Sequence, residues 1–485
     1  MVKRMFLPSS YVFWILFAFL NFFFFYRTAQ ADLVHLSKLV LQAFFAIYIF
    51  IYLILNHKID WNKLKSDKML TGILTISILY IIWITLTNTI FSSAPSYTLL
   101  GWQDWYSGYF LYLILMLFFV YISISSKMSD FGAGIRLLFW LSIFVAVLCS
   151  IEYMGFDILL TSSFLQKTMY YAFAFSSASF PVLAVGNSGY IGSLWLILLP
   201  LPLLLQSQKK WILSLIWWVF LAVGLSSTHS KIAIIVAMVF FVIKFLDFIR
   251  LKSTAGYIVM ALCAVISFYG SNFFEYTNMI LYNNHIVSRN VKQNFDVTRS
   301  TKDRLYIWEG SINAWKARPL TGWGLETLQN TFFDYVSQDT LDYYGKVFAA
   351  RKENESTRHF GNLLVIVPKY GKPVQLRRAY TSNVKPHNYF SEELYSNGIV
   401  GLVLLIAFLV SVANYCLISG SRESKLLLLG FGMYLIYLCG WFITIAVSPL
   451  AFILLGFAVH LAAQKRAEDR QALLTVPTST LPDTA

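Results

Sequence analysis

Charged side chains are scarce in this chain, at 13% of 485 residues. That is about half the share of a soluble domain, which excludes an ordinary water-soluble globule and leaves lipid as the main solvent. Cysteine is scarce too. Cys149, Cys263, Cys416 and Cys439 all sit inside apolar runs without metal-type spacing, so packing explains them better than disulfides or ligation. Also missing are a phosphate-cradling glycine loop with its lysine, a paired-histidine metal motif and a close aspartate pair. These absences argue against nucleotide-driven and metal-dependent sugar-nucleotide chemistry, so neither a cofactor nor a metal is expected.

What the chain has in abundance is apolar sequence, 58% hydrophobic and 18% aromatic. Runs of about 18–25 apolar residues recur from end to end, each long enough to cross a hydrocarbon core of roughly 30 Å as a helix. The expected fold is all-α, a polytopic bundle of about twelve transmembrane helices with one large, partly helical extracytoplasmic loop. The spans are read at 7–26, 33–56, 69–92, 108–125, 136–155, 187–206, 211–228, 230–250, 255–273, 395–417, 426–445 and 447–464. The first run lacks a small-residue cleavage site and is read as a retained span. The organisation is then 1–273 for spans one to nine, 274–394 for the loop domain, 395–464 for spans ten to twelve, and 465–485 for a tail expected to lack fixed structure.

The net charge of +14 does not imply nucleic acid, because much of it lies in short loops. Lys3, Arg4, Lys58, Lys63, Lys65, Lys68, Lys127, Lys209, Lys210, Arg250, Lys252, Arg422, Lys425, Lys465, Arg466 and Arg470 all fall on one side of the predicted bundle. That side is read as cytoplasmic, with both termini inside. The long loop lies on the opposite side. Its lysines and arginines outnumber its acids, and long loops escape the orientation rule, so its basic surface either is simply solvated or receives an anion such as phosphate.

Within the loop, Ser300 and Asp303 have capping-box spacing, and Leu305, Trp308, Ile312 and Trp315 follow at helical intervals. Arg304 would lie in the first turn of this helix, beside Trp308, where its planar fork suits a diphosphate or simply pairs with Asp303 or Glu309. Arg318-Pro319 ends the helix, and Gly322-Trp323-Gly324 forms a tight turn before a second helical pattern at Leu325, Leu328, Phe332 and Val336. The stretch 337–385 has no readable pattern. His387, between Pro386 and the possible cap Asn388, would stand near the outer membrane surface as a structural histidine or a proton acceptor for a sugar hydroxyl. Lys231 closes a polar knot, Ser226 to Lys231, between spans seven and eight; it either snorkels or binds an anion. His35, Lys38 and Glu152 raise the same question. Outer loops at Gly101–Trp105 and Gly186–Gly189 could line a sugar site or be ordinary turns.

Taken in order, Arg304-Leu-Tyr-Ile-Trp308, Arg318-Pro319-Leu320, Gly322-Trp323-Gly324, Pro386-His387-Asn388-Tyr389 and Asn397-Gly398-Ile399-Val400-Gly401 resemble the conserved region of the O-antigen ligase and polymerase superfamily. Gly186-Asn187 also resembles that family. The resemblance implies a metal-independent, inverting membrane glycosyltransferase of the bacterial cytoplasmic membrane, with undecaprenyl-diphosphate-linked glycan as donor and a glycan, lipid or protein as acceptor. It implies that His387 activates the acceptor and that Arg304 holds the diphosphate, with Trp308, Trp323 and Asn388 lining the substrate. Where the family commonly has Ser-Arg, this chain has Ser230-Lys231; Lys231 would then grip the second phosphate, or Arg377 and Arg378 would reach in. Ligase, polymerase and protein O-oligosaccharyltransferase share this donor chemistry. A lipid-linked glycan flippase is the rival from another class, but it would need ionisable groups along a transmembrane path, and the predicted spans have few.

Overall fold

The computed structural model describes residues 9–23, 34–56, 65–101, 106–125, 128–156, 188–207, 210–287, 297–351, 355–360, 363–368, 377–378 and 385–474. It is a helical bundle. The first half contains α1 (Tyr11–Phe23), α2 (Val34–Asn56), α3 (Lys68–Thr89), the short α4 (Pro95–Leu100), α5 (Tyr109–Ile124), α6 (Phe131–Tyr153), α7 (Ser188–Leu198), α8 (Pro202–Ser207), α9 (Trp211–Ser226), α10 (Lys231–Arg250) and α11 (Thr254–Asn283). The loop segment carries α12 (Val297–Ala317), α13 (Leu328–Tyr335) and α14 (Gln338–Arg351). It also holds strands β1 (Glu355–Phe360), β2 (Leu363–Pro368) and β3 (Arg377–Arg378). The chain closes with α15 (Tyr389–Ile418), α16 (Arg422–Leu438) and α17 (Ser448–Leu474).

Each apolar run read from the sequence contains helix, but the run 187–206 is broken into α7 and α8 and the run 426–445 leaves the helix after Leu438. Among the described residues eight helical segments are long and apolar enough to cross a membrane, and three shorter apolar helices accompany them. Their surfaces are those of lipid-solvated helices. Along α10, Ile235, Val239, Ile243 and Leu246 form a stripe that is more than half exposed, which only a hydrocarbon surround would tolerate on this scale. By contrast α7 and α17 are almost wholly enclosed by protein. They form the centre of the bundle.

The loop departs from expectation in three ways. First, α12 begins at Val297, so Ser300 lies inside the helix and Arg304 is about two turns from its start. The apolar stripe meant to cover the loop is not the packed one either: Leu305 and Ile312 are exposed, while Ile307 and Ala314 pack with Leu328, Phe332 and Phe333. Second, the pattern-poor stretch holds α14 and a small antiparallel sheet in the order β1-β2-β3, with Thr357 opposite Ile366 and Ile366 opposite Arg377. Third, the helix of span ten starts six residues early, at Tyr389, and kinks at Gly398.

That kink is where the loop docks. Backbone bonds run from Trp323 N to Tyr395 O (3.0 Å), from Gly324 N to Ser396 O (2.8 Å) and from Ile399 N to Pro319 O (2.8 Å). Gly398 has φ +66°, and a Cβ there would stand 2.0 Å from the Leu320 carbonyl oxygen; a Cβ on Gly322 (φ +68°) would be 2.5 Å from the Ser396 backbone. Glycine is thus required on both sides of the junction, for conformation and for space. Polar side chains of α3 lock it from behind. Thr87 donates to Asn397 Oδ1 (2.7 Å), Trp83 donates to Asn397 O (2.8 Å), and Asn88 accepts from Leu325 N (2.7 Å).

Candidate functional site

Between α16 and α17 the chain leaves the helix, and Trp441 and Phe442 occupy the break with their rings stacked at 5.4 Å. Irregular backbone inside a membrane bundle must find its partners within the protein. Here α1 and α2 supply them. Asn21 Nδ2 donates to the Ile445 and Ala446 carbonyls (both 3.0 Å), and Gln42 Nε2 donates to Ile445 O (2.9 Å). Lys38, fully buried, donates to the Asn21 carbonyl, so this lysine buttresses the break.

Both principal candidates from the sequence meet at this aromatic pair. The His387 ring stands edge-on to Trp441 (5.3 Å between centroids) and to Phe442 (5.2 Å), and the Arg304 guanidinium lies 5.7 Å from the Trp441 ring centre. One indole therefore bridges an imidazole and a guanidinium, a cation–π placement that keeps the arginine's donor fork free to point elsewhere. Burial lowers the His387 pKa to about 4; the hydrogen bond to the Lys385 backbone opposes this, and the Arg304 and Lys385 charges add to it. The imidazole is thus neutral at physiological pH. Burial also pulls Arg304 below the ordinary arginine value, leaving it charged.

His387 is held by its own turn. Its backbone is left-handed (φ +51°), a conformation unusual for a residue with a side chain, and Nδ1 lies 3.0 Å from the Lys385 carbonyl oxygen. A carbonyl oxygen only accepts, so Nδ1 carries the proton and Nε2 presents the lone pair. Trp308 ties α12 to the same turn, its indole N–H donating to Pro386 O (2.7 Å). Arg304 and Trp308, one helical turn apart, are thereby brought beside His387.

The remaining sequence candidates divide. Asn388 caps α15, its Oδ1 accepting from Phe390 N (3.0 Å) and Ser391 N (3.1 Å), so its role is to start the helix behind His387. Trp323 serves the loop's own packing: its N–H donates to Ala314 O (2.7 Å) and Arg318 stacks on its face at 4.1 Å. Lys231 opens α10 and is exposed. Its neighbours approach the site from the other side, Ser230 by a hydrogen bond to Tyr437, and Ile232 at Gly440. A Cβ on Gly440 would be 2.3 Å from Ile232 Cδ1 and 3.7 Å from an Arg304 terminal nitrogen, so this glycine lets α10 and α12 close on α16. His229 faces away, paired with the Tyr153 hydroxyl and 3.6 Å from Glu275. Arg377 and Arg378 form β3, but their side chains lie outside the described residues, as do Trp102–Trp105 and Gly186-Asn187.

Several site residues escaped sequence reasoning. Trp441, Phe442 and Tyr437 were absorbed into an apolar run that reads only as a span. Lys385, fully buried, is paired with Glu392 (2.9 Å) and Glu326 (3.4 Å), and Glu326 accepts from Ser107. Burial alone would lower the Lys385 ammonium, but the two carboxylates more than offset it and raise it above its ordinary value. The signal for this triad was there in part: an acid seven residues after a lysine, at the outer mouth of a span, is costly unless paired.

The fold is a polytopic helical bundle, and beneath its large loop the basic side chains Arg304 and Lys385 meet the His387, Trp441 and Phe442 rings. The O-antigen ligase family model matches residues 213–350, from α9 through α14, and supports membership of the O-antigen ligase superfamily. No curated protein matches the chain. The matched segment contains Lys231 and Arg304, whereas His387, Lys385 and Trp441 lie beyond it.

Proposed function

We propose that the chain is a polysaccharide ligase that transfers a glycan from undecaprenyl diphosphate to an acceptor hydroxyl at the outer face of the bacterial cytoplasmic membrane, with both termini inside. His387 Nε2 takes the proton from the acceptor hydroxyl. The acceptor oxygen forms the new bond to the anomeric carbon, on the face opposite the leaving group, while the bond from that carbon to the diphosphate oxygen breaks. The diphosphate departs with the electron pair, and Arg304, assisted by Lys231 at the start of α10, meets the charge that develops on it. Such a preplaced cation favours the transition state over the ground state. No bound metal is needed to carry any of these steps.

The observation that carries the reading is the shared Trp441: a neutral base and a guanidinium within 5.3 and 5.7 Å of one indole, at the mouth of a bundle whose family match is to O-antigen ligases. The test is turnover by purified protein in lipid nanodiscs given an undecaprenyl-diphosphate-linked glycan and a lipid-core acceptor. Release of undecaprenyl diphosphate with a single glycan transferred supports the ligase. Lengthening of the glycan on its own carrier would make the chain a polymerase, transfer to serine or threonine of a protein would make it an O-oligosaccharyltransferase, and donor flipping without diphosphate release would make it a transporter.

A further inference from the structure

We infer that Lys385 is the positioning residue of the site: the buried Glu326–Lys385–Glu392 triad clamps the turn that fixes the tautomer and aim of His387. This rests on the proposed role of His387 as base. A lysine buried among protein is costly to keep charged, and two buried carboxylates around it cost more still unless all three meet. Here they do, at 2.9 and 3.4 Å, with Glu326 coming from the loop, far back in the chain from the other two. Glu326 lies just beyond the Gly322–Gly324 turn, itself left-handed at φ +56°; Glu392 is in the first turn of α15; Lys385 leads into His387. The triad therefore closes a ring between the docked loop, the membrane helix and the histidine turn.

Two contacts pass that rigidity to the imidazole. The Lys385 carbonyl oxygen accepts a hydrogen bond from Nδ1–H at 3.0 Å, which leaves Nε2 as the acceptor. The Lys385 ammonium also lies 5.0 Å from the centre of the Phe442 ring, and that ring packs edge-on to His387. Lysine thus touches the histidine from below through its backbone and from the side through an aromatic ring. A surface lysine held by one exposed acid would do neither.

The ionisable groups around His387 are Arg304 from α12, Lys385 from its own turn, Glu326 and Glu392 through Lys385, and the Tyr437 and Tyr190 hydroxyls from α16 and α7, whose rings pack on Trp441. Deleting the lysine removes one nearby cation and leaves two carboxylates behind it, so the imidazolium becomes easier to form. Lys385→Met should then move the acidic limb of the kcat/KM profile upward by about one pH unit; because the imidazole also loses its aim while staying neutral at pH 7, kcat there should fall by about tenfold or more. Donor affinity should stay within about threefold of wild type, since Arg304 is untouched. Lys385→Arg should restore most of the rate and the original profile. A tautomer measurement needs no variant that risks unfolding: in histidine-¹⁵N-labelled full-length protein in nanodiscs, the His387 resonances, assigned by their loss in His387→Gln, should show the proton on Nδ1.

A proton on Nε2 overturns the inference, as does a Lys385→Met enzyme with wild-type rate and pH profile. Should Lys385→Met fail to fold, Glu326→Gln decides: a clear fall in kcat with donor affinity held supports the inference, and a wild-type rate overturns it. Failure of the underlying proposal is separately visible, because His387→Gln would then turn over normally whatever Lys385 does.

Discussion

At the scale of single residues, the proposed transfer depends on keeping one imidazole neutral and one guanidinium charged within reach of the same indole. His387→Ala should lower turnover by about 10²–10⁴-fold while leaving the melting temperature near wild type, as judged by diphosphate release and a thermal-shift assay on the same preparation. Because burial lowers the His387 pKa to about 4, the base form persists on acidification. Activity should therefore hold from neutrality down to about pH 5 and fall only as pH approaches 4, rather than near the ordinary histidine value of about 6.5; a half-maximal point at pH 6–7 would contradict the role given to this group. Arg304→Lys keeps the charge but loses the planar fork, and should cost about 10²-fold in kcat. At position 231 the ordering is reversed. If the ammonium grips a phosphate as a point charge, Lys231→Arg should match or exceed wild type and Lys231→Ala should fall below it, with equal rates in all three pointing to a merely interfacial side chain.

At the scale of elements, the decisive join is the turn at Gly322–Gly324 against the kink at Asn397-Gly398. Gly398→Ala would place a methyl 2.0 Å from the Leu320 carbonyl oxygen at a left-handed φ. It should destabilise the loop by about 1–3 kcal/mol and depress turnover without altering the pH profile, measured by limited proteolysis of the loop alongside the assay. How much of this was legible depended on the kind of signal each element carries. The spans were, because about twenty apolar residues in a row have one explanation. The loop motifs were legible as glycine-marked turns, yet their partners were not: nothing local in Asn397-Gly398 says that Trp323 will pair with Tyr395. The amphipathic pattern of α12 misled in part, since Leu305 and Ile312 on the expected face are exposed and Trp308 and Trp315 are only half-buried, while the packed face runs through the smaller Ala314 and Ile307. Hydrophobic periodicity reports a face that avoids water, and beside a membrane lipid satisfies it as well as protein does.

At the scale of the whole molecule, orientation and chemistry are one claim: a site built from loop residues must face the side from which its substrates come. In a cysteine-free background, a membrane-impermeant maleimide added to intact spheroplasts should label Lys302→Cys and spare Arg250→Cys until the membrane is opened. The reverse pattern would put His387 on the wrong side for a lipid-linked donor. From the sequence an orientation is proposed through the lysines and arginines, but Trp441 and Phe442 count as membrane aromatics until the break that places them beside His387 is seen. That break is pinned by Asn21, 424 positions earlier in the chain. The carboxamide of Asn21 in α1 must therefore reach the Ile445 and Ala446 carbonyls before the indole beside His387 and Arg304 is fixed, so the orientation of that indole is decided by a helix far from it in the chain.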